Sequence, residues 1–178
     1  MNRFRQEPDA RLRKKLGVTS IAEIYFDGLC EPKNPGGIPV YSFAISVSER
    51  GQFLAQQAGL AGEPWTENAT HNLAEYMGAI KAVEWLQEHS PVMKMTIFGD
   101  SQLVIRQLNK EYQVRSLKIL PLHKRLTGLL EGLEWKAVWI PRDKNALADK
   151  LGSDFYKDYC IRHHGKVLPT MRETGAIA

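Results

Sequence analysis

The segment IFGDSQLVI, residues 97–105, constrains the fold more than any other feature of the sequence. Its apolar run breaks at Asp100 and then resumes with Val104 and Leu108 at helical spacing, and Ser101 is placed to cap the first turn. This pattern predicts a buried strand that leads directly into a helix. Asp100 would then lie at the carboxyl end of a strand, where ligands gather in α/β sheets. Taken alone, the segment fits helix capping by Asp100 and Ser101 better than a functional role.

Other segments show strand or helix periodicity, and together they define an order of elements. Strands are predicted over 21–28, 40–49, 52–59, 93–98 and 135–140, and helices over 72–88, 101–109, 116–133 and 145–163. The first three strands can form an antiparallel meander, whereas helical crossovers oblige the fourth and fifth strands to run parallel to the first. The sequence therefore predicts an α/β fold with one mixed five-stranded sheet flanked by helices.

The positive charge of the chain is concentrated at its N-terminal end. The 178 residues carry a net charge of +4, and residues 1–20 hold six basic and two acidic side chains. Residues 21–178 therefore carry 18 side chains of each sign. We interpret 1–20 as a basic leader, which is either an arm that contacts phosphates or a solvated segment. We interpret 21–164 as one folded domain and 165–178 as a loose tail.

The lack of a recognisable membrane span or signal peptide, together with the cysteine content, favours an intracellular protein. No apolar run approaches the roughly 20 residues of a membrane span, and the leader lacks the apolar stretch of a signal peptide. Cys30 and Cys160 lie far apart and form no CxxC pair, so neither a zinc site nor a disulfide framework is predicted. We therefore expect a cytoplasmic protein with no membrane partner.

Four acidic side chains occupy positions that this fold would bring to one edge of the sheet. Asp27 ends the first strand, Asp100 follows the fourth, Glu75 lies early in the long helix and Asp149 lies one turn into the last helix. Each also has a local explanation, since Glu75 and Asp149 favour helix N-termini and Asp27 suits a turn. Four carboxylates at one edge repel each other, which predicts a bound cation. Oxygen ligands suit Mg²⁺ or Mn²⁺, and two such ions can promote hydrolysis of a phosphodiester.

The motifs that carry these acids resemble those of ribonuclease HI, the type 1 ribonuclease H family. They read YFDGLCEPKNPGG, THNLAEY, FGDSQLVI and NALADKL, in that order, and the resemblance covers residues 21–160. It implies the ribonuclease H-like fold and an endonuclease that uses two Mg²⁺ ions, with Mn²⁺ as a substitute. Such an enzyme cuts the RNA strand of RNA/DNA hybrids and leaves 5′-phosphate and 3′-hydroxyl ends. The resemblance also implies that the catalytic metal ligands are Asp27, Glu75, Asp100 and Asp149.

The same resemblance implies two groups of substrate-binding residues. The first faces the minor groove of the hybrid and consists of Gly28, Cys30, Asn34, Asn72 and Gln102. Polar side chains can reach base edges and 2′-hydroxyls in such a groove, because it is wide and shallow. The second group contacts phosphates and consists of Thr70 and Ser101, both of which also suit helix capping.

Two features depart from the family pattern. Many members carry a His in a loop shortly before the last Asp, but residues 138–149 read VWIPRDKNALAD and contain none. Arg142 is a candidate to bind phosphate there, although it cannot act as a base. The chain also lacks the basic protrusion of some members and is a compact form. In its place, residues 106–125 hold six basic side chains and one acidic side chain, Glu111. This basic band is either a phosphate-binding surface or a solvated helix face.

The four tryptophans fall into two groups. Trp85, Trp135 and Trp139 follow the core-facing pattern of a helix and a strand, so we expect them in the core. Trp65 lies in a loop before the helix of Glu75 and has no assigned role.

Three classes of function are compatible with the sequence. The leading hypothesis is a monomeric endoribonuclease without an obligate protein partner, which acts on RNA/DNA hybrids, with double-stranded RNA as a second candidate substrate. The first rival is a module of the same fold that binds such duplexes without cutting them. A pure binder gains nothing from negative charge placed where phosphates lie. The second rival is DNA cleavage or strand transfer, which Asn72 and Gln102 disfavour because they suit 2′-hydroxyl contacts.

Overall fold

The computed structural model describes residues 21–47, 53–89 and 94–176, and its elements follow the predicted order. The strands are β1 (Ala22–Glu31), β2 (Ile38–Val47), β3 (Phe53–Leu60), β4 (Lys94–Gly99) and β5 (Glu134–Trp139). The helices are α1 (His71–His89), α2 (Gln102–Leu108), α3 (Leu120–Leu130) and α4 (Ala146–His164), with a 3-10 turn at Arg142–Asn145. None of the described helices has both the length and the apolar content of a bilayer-spanning segment. The basic leader 1–20 lies outside the described residues.

The strands form one mixed sheet in the order β3-β2-β1-β4-β5. β2 runs antiparallel to both β1 and β3, whereas β4 runs parallel to both β1 and β5. This topology confirms the predicted sheet. The last parallel pair joins Phe26 of β1 to Gly99 of β4, so Asp27 and Asp100 follow it at the same edge of the sheet.

Helices α1, α2 and α3 cover one face of the sheet and enclose the main core. Phe26 of β1 and Phe43 of β2 are fully buried there with Ile80 of α1. These side chains alternate with residues of the opposite face along each strand, as expected for a sheet covered on both sides. The main core therefore fixes α1 across β1 and β2.

Helix α4 covers the opposite face. Val40 of β2 and Tyr156 of α4 are buried together in a smaller cluster. The Ser42 hydroxyl donates a hydrogen bond to the Ala148 carbonyl at 2.7 Å. This bond fixes the start of α4 against β2, close to the edge where β1 and β4 stop pairing.

The boundaries of β1 and α3 differ most from the predicted ones. β1 does not end at Asp27 and Gly28, because its pairing with β2 continues to Glu31. Asp27 therefore lies inside β1, where only the pairing with β4 stops. Helix α3 begins at Leu120 rather than at 116, with Pro121 in its first turn, where a missing amide hydrogen costs no helical bond.

Part of the segment that follows α4 contacts the body, although the sequence predicts a loose tail over 165–178. The Met171 amide donates to the Glu31 carboxylate at 2.6 Å, and the Tyr156 hydroxyl donates to the Leu168 carbonyl at 3.3 Å. Leu168 also packs against the cluster between β2 and α4. These contacts hold residues 168–171 beside the end of β1.

Of the three tryptophans that we expect in the core, two pack there and one does not. Trp85 and Trp135 pack against the main core, as predicted. Trp139 is 45% exposed, so its predicted burial is wrong. It is the last residue of an edge strand, and its indole N–H donates to the Asp100 carbonyl at 3.1 Å.

Candidate functional site

Three carboxylates converge at the edge of the sheet where β1 and β4 stop pairing. Asp27 lies one residue past the last β1–β4 pair, Asp100 directly follows β4, and Glu75 lies near the start of α1. One carboxylate oxygen of each residue lies within 4.8 Å of those of the other two. The structure thus brings together three of the four acids that the sequence singles out.

The approach of α1 to β1 depends on two glycines. A Cβ at Gly28 would lie 2.2 Å from the Glu75 amide nitrogen, and a Cβ at Gly78 would lie 2.8 Å from the Asp27 carbonyl oxygen. Neither distance is compatible with a side chain. The absence of a side chain at Gly28 therefore places Glu75 beside Asp27, a packing role that the resemblance alone does not reveal.

Burial and mutual repulsion raise the pKa values of two of the three carboxyls. Asp27 is 5% exposed and Glu75 is 3% exposed. Loss of hydration raises the pKa of Asp27 well above its ordinary value, and the charges of Glu75 and Asp100 raise it further. Burial likewise raises the pKa of Glu75, with a further contribution from Asp100. Without a cation, the cluster therefore resists full ionisation.

One oxygen of Glu75 shows that the cluster fits a cation. Glu75 Oε2 is buried and has no hydrogen-bond partner among the described residues, whereas Oε1 lies 3.1 Å from His71 Nε2. A buried carboxylate oxygen without a donor is costly unless a cation meets it. Because the three converging groups are all carboxylates, the cluster fits a hard divalent cation better than zinc.

Asn145, which the sequence analysis did not single out, orients Asp100. Its buried side-chain amide donates to the Phe26 carbonyl and to Asp100 Oδ1, both at 2.8 Å. It thereby ties the ends of β1 and β4 to the turn before α4. Its place directly before a helix suggests only an N-cap, and its side chain makes no capping bond.

Asp149 does not belong to the three-carboxylate cluster in this structure. It forms an ion pair with Arg142, seven residues earlier, and both side chains are partly exposed. Burial lowers the pKa of Arg142, but the charges of Asp149 and Asp27 outweigh it and raise that pKa above its ordinary value. Arg142 is thus a cation held next to the acids, in the turn that precedes α4.

His71 is a second residue that the sequence analysis missed. It precedes Glu75 by four residues, so both side chains lie on the same face of α1. Burial lowers the pKa of His71 and outweighs the charges of Asp27 and Asp100. The signal was present in the motif THNLAEY, where a His stands one turn before the acid.

The predicted minor-groove residues lie in β1 (Gly28 and Cys30), in the loop after it (Asn34) and at the starts of α1 (Asn72) and α2 (Gln102). Asn34 Oδ1 accepts the His71 amide hydrogen at 3.0 Å. Asn72 and Gln102 are exposed at the starts of α1 and α2. The Cys30 thiol is buried and contacts the Lys33 and Ala69 carbonyls at 3.3 Å, so in this structure it holds the loop together.

The predicted phosphate contacts both act as helix caps in this structure. Thr70 Oγ1 accepts the Leu73 amide hydrogen at 3.1 Å, and Ser101 Oγ accepts that of Val104 at 3.4 Å. Both residues remain partly exposed. Capping therefore accounts for their residue type, and phosphate binding by them stays a prediction.

The basic band of residues 106–125 is partly engaged by the protein itself. Arg125 forms an ion pair with Glu84 of α1, and the Arg106 guanidinium lies 5.1 Å from the ring centre of Tyr112. Lys110 and Lys124 are exposed. Part of this band is therefore free to meet a phosphate backbone.

Comparisons with known proteins agree on the kind of fold. A family model described as reverse transcriptase-like matches residues 45–154. The bifunctional protein Rv2228c of Mycobacterium tuberculosis is 26% identical over 124 residues, which make up 68% of this chain and 32% of that protein. The chain thus spans about a third of the length of the curated relatives it matches.

Solved structures of ribonucleases H superpose on most of the chain. The N-terminal RNase H domain of Rv2228c gives a TM-score of 0.68 at 23% identity, over 76% of this chain and 93% of that one, a likeness that shows the fold alone. RNase H1 of the archaeon Halobacterium salinarum gives 0.68 at 27% identity, over 77% and 98%. LC11-RNase H1 in complex with an RNA/DNA hybrid gives 0.65 at 28% identity, over 75% and 94%.

Proposed function

Because the chain belongs to the reverse transcriptase-like family and its fold matches solved type 1 ribonucleases H, we propose that it is a ribonuclease H that hydrolyses the RNA strand of RNA/DNA hybrids with divalent cations. The observation that carries this proposal is the convergence of Asp27, Glu75 and Asp100, with one buried oxygen of Glu75 left without a hydrogen-bond donor. A module that only binds duplexes has no use for such a cluster. The products are expected to carry 5′-phosphate and 3′-hydroxyl ends.

The residues of the cluster have distinct roles in this proposal. Asp27, Glu75 and Asp100 would hold the cation, Mg²⁺ or Mn²⁺, and Asp149 would be the fourth ligand, which the family resemblance adds. Two such ions, when bound there, would lower the pKa of a water and stabilise the leaving oxygen of the phosphodiester. Asn145 keeps Asp100 in one orientation, because its amide is bonded to both Asp100 and the backbone of β1.

Arg142 is the group that we assign to the scissile phosphate. It is partly exposed, keeps its charge at every working pH, and already faces the acids through Asp149. A guanidinium can hold two phosphate oxygens at once but cannot accept a proton. Arg142 therefore orients the phosphate and does not replace the missing loop His as a base.

Substrate choice rests on the exposed polar side chains that border the cluster. Asn72, Gln102 and Asn34 are the candidates to contact base edges and 2′-hydroxyls in a minor groove. LC11-RNase H1, which shares 28% identity, is described in complex with an RNA/DNA hybrid, and this supports the same class of substrate here. We also propose that the protein acts as a monomer in the cytoplasm.

The test is cleavage of four end-labelled duplexes of one sequence: RNA/DNA, DNA/DNA, RNA/RNA, and DNA with a single ribonucleotide. With Mg²⁺ we expect cleavage of the RNA strand of the hybrid and its loss in EDTA. Asp100→Asn should lower the rate by at least about 100-fold, since it keeps the shape of Asp100 and removes its charge. The charge-matched control is Asp158→Asn, an exposed residue of α4 that pairs with Arg162. Substantial Mg²⁺-dependent activity in Asp100→Asn would contradict the proposed cluster.

A further inference from the structure

Trp65 is a residue that the proposed function leaves without a role. It lies in the loop between β3 and α1, is 45% exposed, and has a φ of 65°. The left-handed region is unfavourable for a bulky side chain, whereas glycine occupies it without strain. The chain thus keeps a strained, exposed indole where the backbone alone favours glycine, a pattern typical of functional positions.

Backbone hydrogen bonds between two loops hold Trp65 in place. The Trp65 amide donates to the Gly37 carbonyl at 2.9 Å, and the Gly36 amide donates to the Ala69 carbonyl at 2.8 Å. These bonds join the β1–β2 loop to the β3–α1 loop at Trp65 itself and four residues after it. The indole is therefore presented at the surface from a fixed backbone.

Two side chains flank the indole and define what it can bind. Lys33 Nζ lies 5.9 Å from the ring centre, and the ring of His164 meets the indole edge-on with centroids 5.7 Å apart. We call these three residues the Trp65 platform. Glu63 and Glu67 are exposed in the same loop, so the platform is better suited to stacking on a flat ring than to neutralising a phosphate backbone.

The Trp65 platform continues the proposed substrate site. Lys33 precedes Asn34, whose side chain accepts the His71 amide hydrogen at 3.0 Å. His71 in turn contacts Glu75 of the carboxylate cluster at 3.1 Å. A series of neighbouring residues therefore leads from the proposed reaction centre to the indole.

We propose that the Trp65 platform binds an unpaired nucleobase in a single-stranded extension of the hybrid. This inference rests on the proposed function, because it takes the hybrid as the substrate. Inside a duplex each base face is covered by its neighbours, and a blunt end exposes only one face of a base that is held in its pair, whereas an unpaired base is free to turn onto an exposed indole. The platform therefore favours hybrids with a single-stranded extension over blunt-ended ones.

The experiment measures binding by fluorescence anisotropy in the Asp100→Asn background, which keeps the RNA strand intact. The probes are a blunt hybrid, the same hybrid with a short DNA overhang at either end of either strand, and the same overhangs without bases. We expect one overhang to raise the affinity about 5-fold, at the lower end of the range for base–aromatic stacking, and its abasic form to lose that gain. The gain should persist as salt is raised, because stacking is not screened.

Variants of Trp65 separate stacking from folding. Trp65→Ala and Trp65→Gly should both lose the gain, whereas Trp65→Phe should keep most of it. Trp65→Gly also relieves the left-handed backbone, so its melting temperature should not fall, and lost binding then cannot be attributed to unfolding. Phe53→Ala, which removes another exposed aromatic ring, is the matched control and should retain the gain.

The possible outcomes separate the platform from the proposed function. Equal affinity for blunt and overhanging hybrids would overturn the platform and leave the proposed function standing. The same holds if the gain survives loss of the bases or survives both Trp65→Ala and Trp65→Gly. Failure of the Asp100→Asn protein to bind any hybrid would overturn the proposed function and the platform with it.

Discussion

Asp27 shows how one residue can lower the stability of the fold while serving the proposed site. Burial first, and then the charges of Glu75 and Asp100, raise the pKa of its carboxyl above the ordinary value of 3.8. Above that pH the unfolded chain releases the proton more readily than the folded protein, so the free energy of unfolding falls as pH rises. In EDTA at neutral pH, Asp27→Asn should therefore raise the free energy of unfolding by about 1–2 kcal/mol in urea titrations.

Two controls distinguish this effect from a general change in packing. The gain from Asp27→Asn should shrink as the pH approaches 4, because the Asp27 carboxyl then becomes protonated in the unfolded chain as well as in the folded protein. The Asn side chain can still accept the Gly28 amide hydrogen, so this hydrogen bond is kept. Mg²⁺ should stabilise the unmodified protein but not the variant, since a ligand that binds only the folded state adds stability. A variant that is less stable than the parent in EDTA at neutral pH would contradict this account.

Among the elements, helix α1 can bring Glu75 to the cluster only because β1 has no side chain at Gly28. Gly28→Ala would place a Cβ 2.2 Å from the backbone of α1, so the helix must move away. We expect a loss of about 3 kcal/mol in the free energy of unfolding and loss of Mg²⁺ binding in calorimetry.

Gly128 of α3 is the matched control, because nothing lies within 4 Å of its added Cβ. Gly128→Ala should add up to about 1 kcal/mol. Unchanged Mg²⁺ binding in Gly28→Ala would show that α1 can shift without displacing Glu75.

The elements were predictable from the sequence where local periodicity determines them. Strand and helix patterns predict the sheet order, and the sheet order predicts that Asp27 and Asp100 meet. The sequence pattern of β5 does not show how far the helices extend over this edge strand. The exposure of Trp139 could therefore not be predicted from it. The contacts of Asn145 with Phe26 join residues far apart in the sequence and depend on how the turn before α4 packs. Such contacts leave no periodic signal.

For the chain as a whole, the net charge is unevenly distributed: the leader is basic and the rest of the chain is neutral. Residues 1–20 carry four excess positive charges, and residues 21–178 carry none. If the leader is a phosphate arm, its deletion should weaken hybrid binding at low salt and matter less at high salt. The slope of log affinity against log salt should become shallower by about 0.9 for each phosphate that the leader neutralises. The melting temperature should stay unchanged, because residues 21–176 contain the core described above.

A charge-only variant separates the leader's charge from its length. Replacing Arg11, Arg13, Lys14 and Lys15 by Ser keeps the leader and removes four of its six basic groups. If charge is what binds, this variant should reproduce most of the change in slope caused by deletion, measured by anisotropy on one blunt hybrid. An unchanged slope in both variants would identify the leader as a solvated segment. The phosphate contacts would then come from the body, where Lys110 and Lys124 are exposed while Arg125 is held by Glu84.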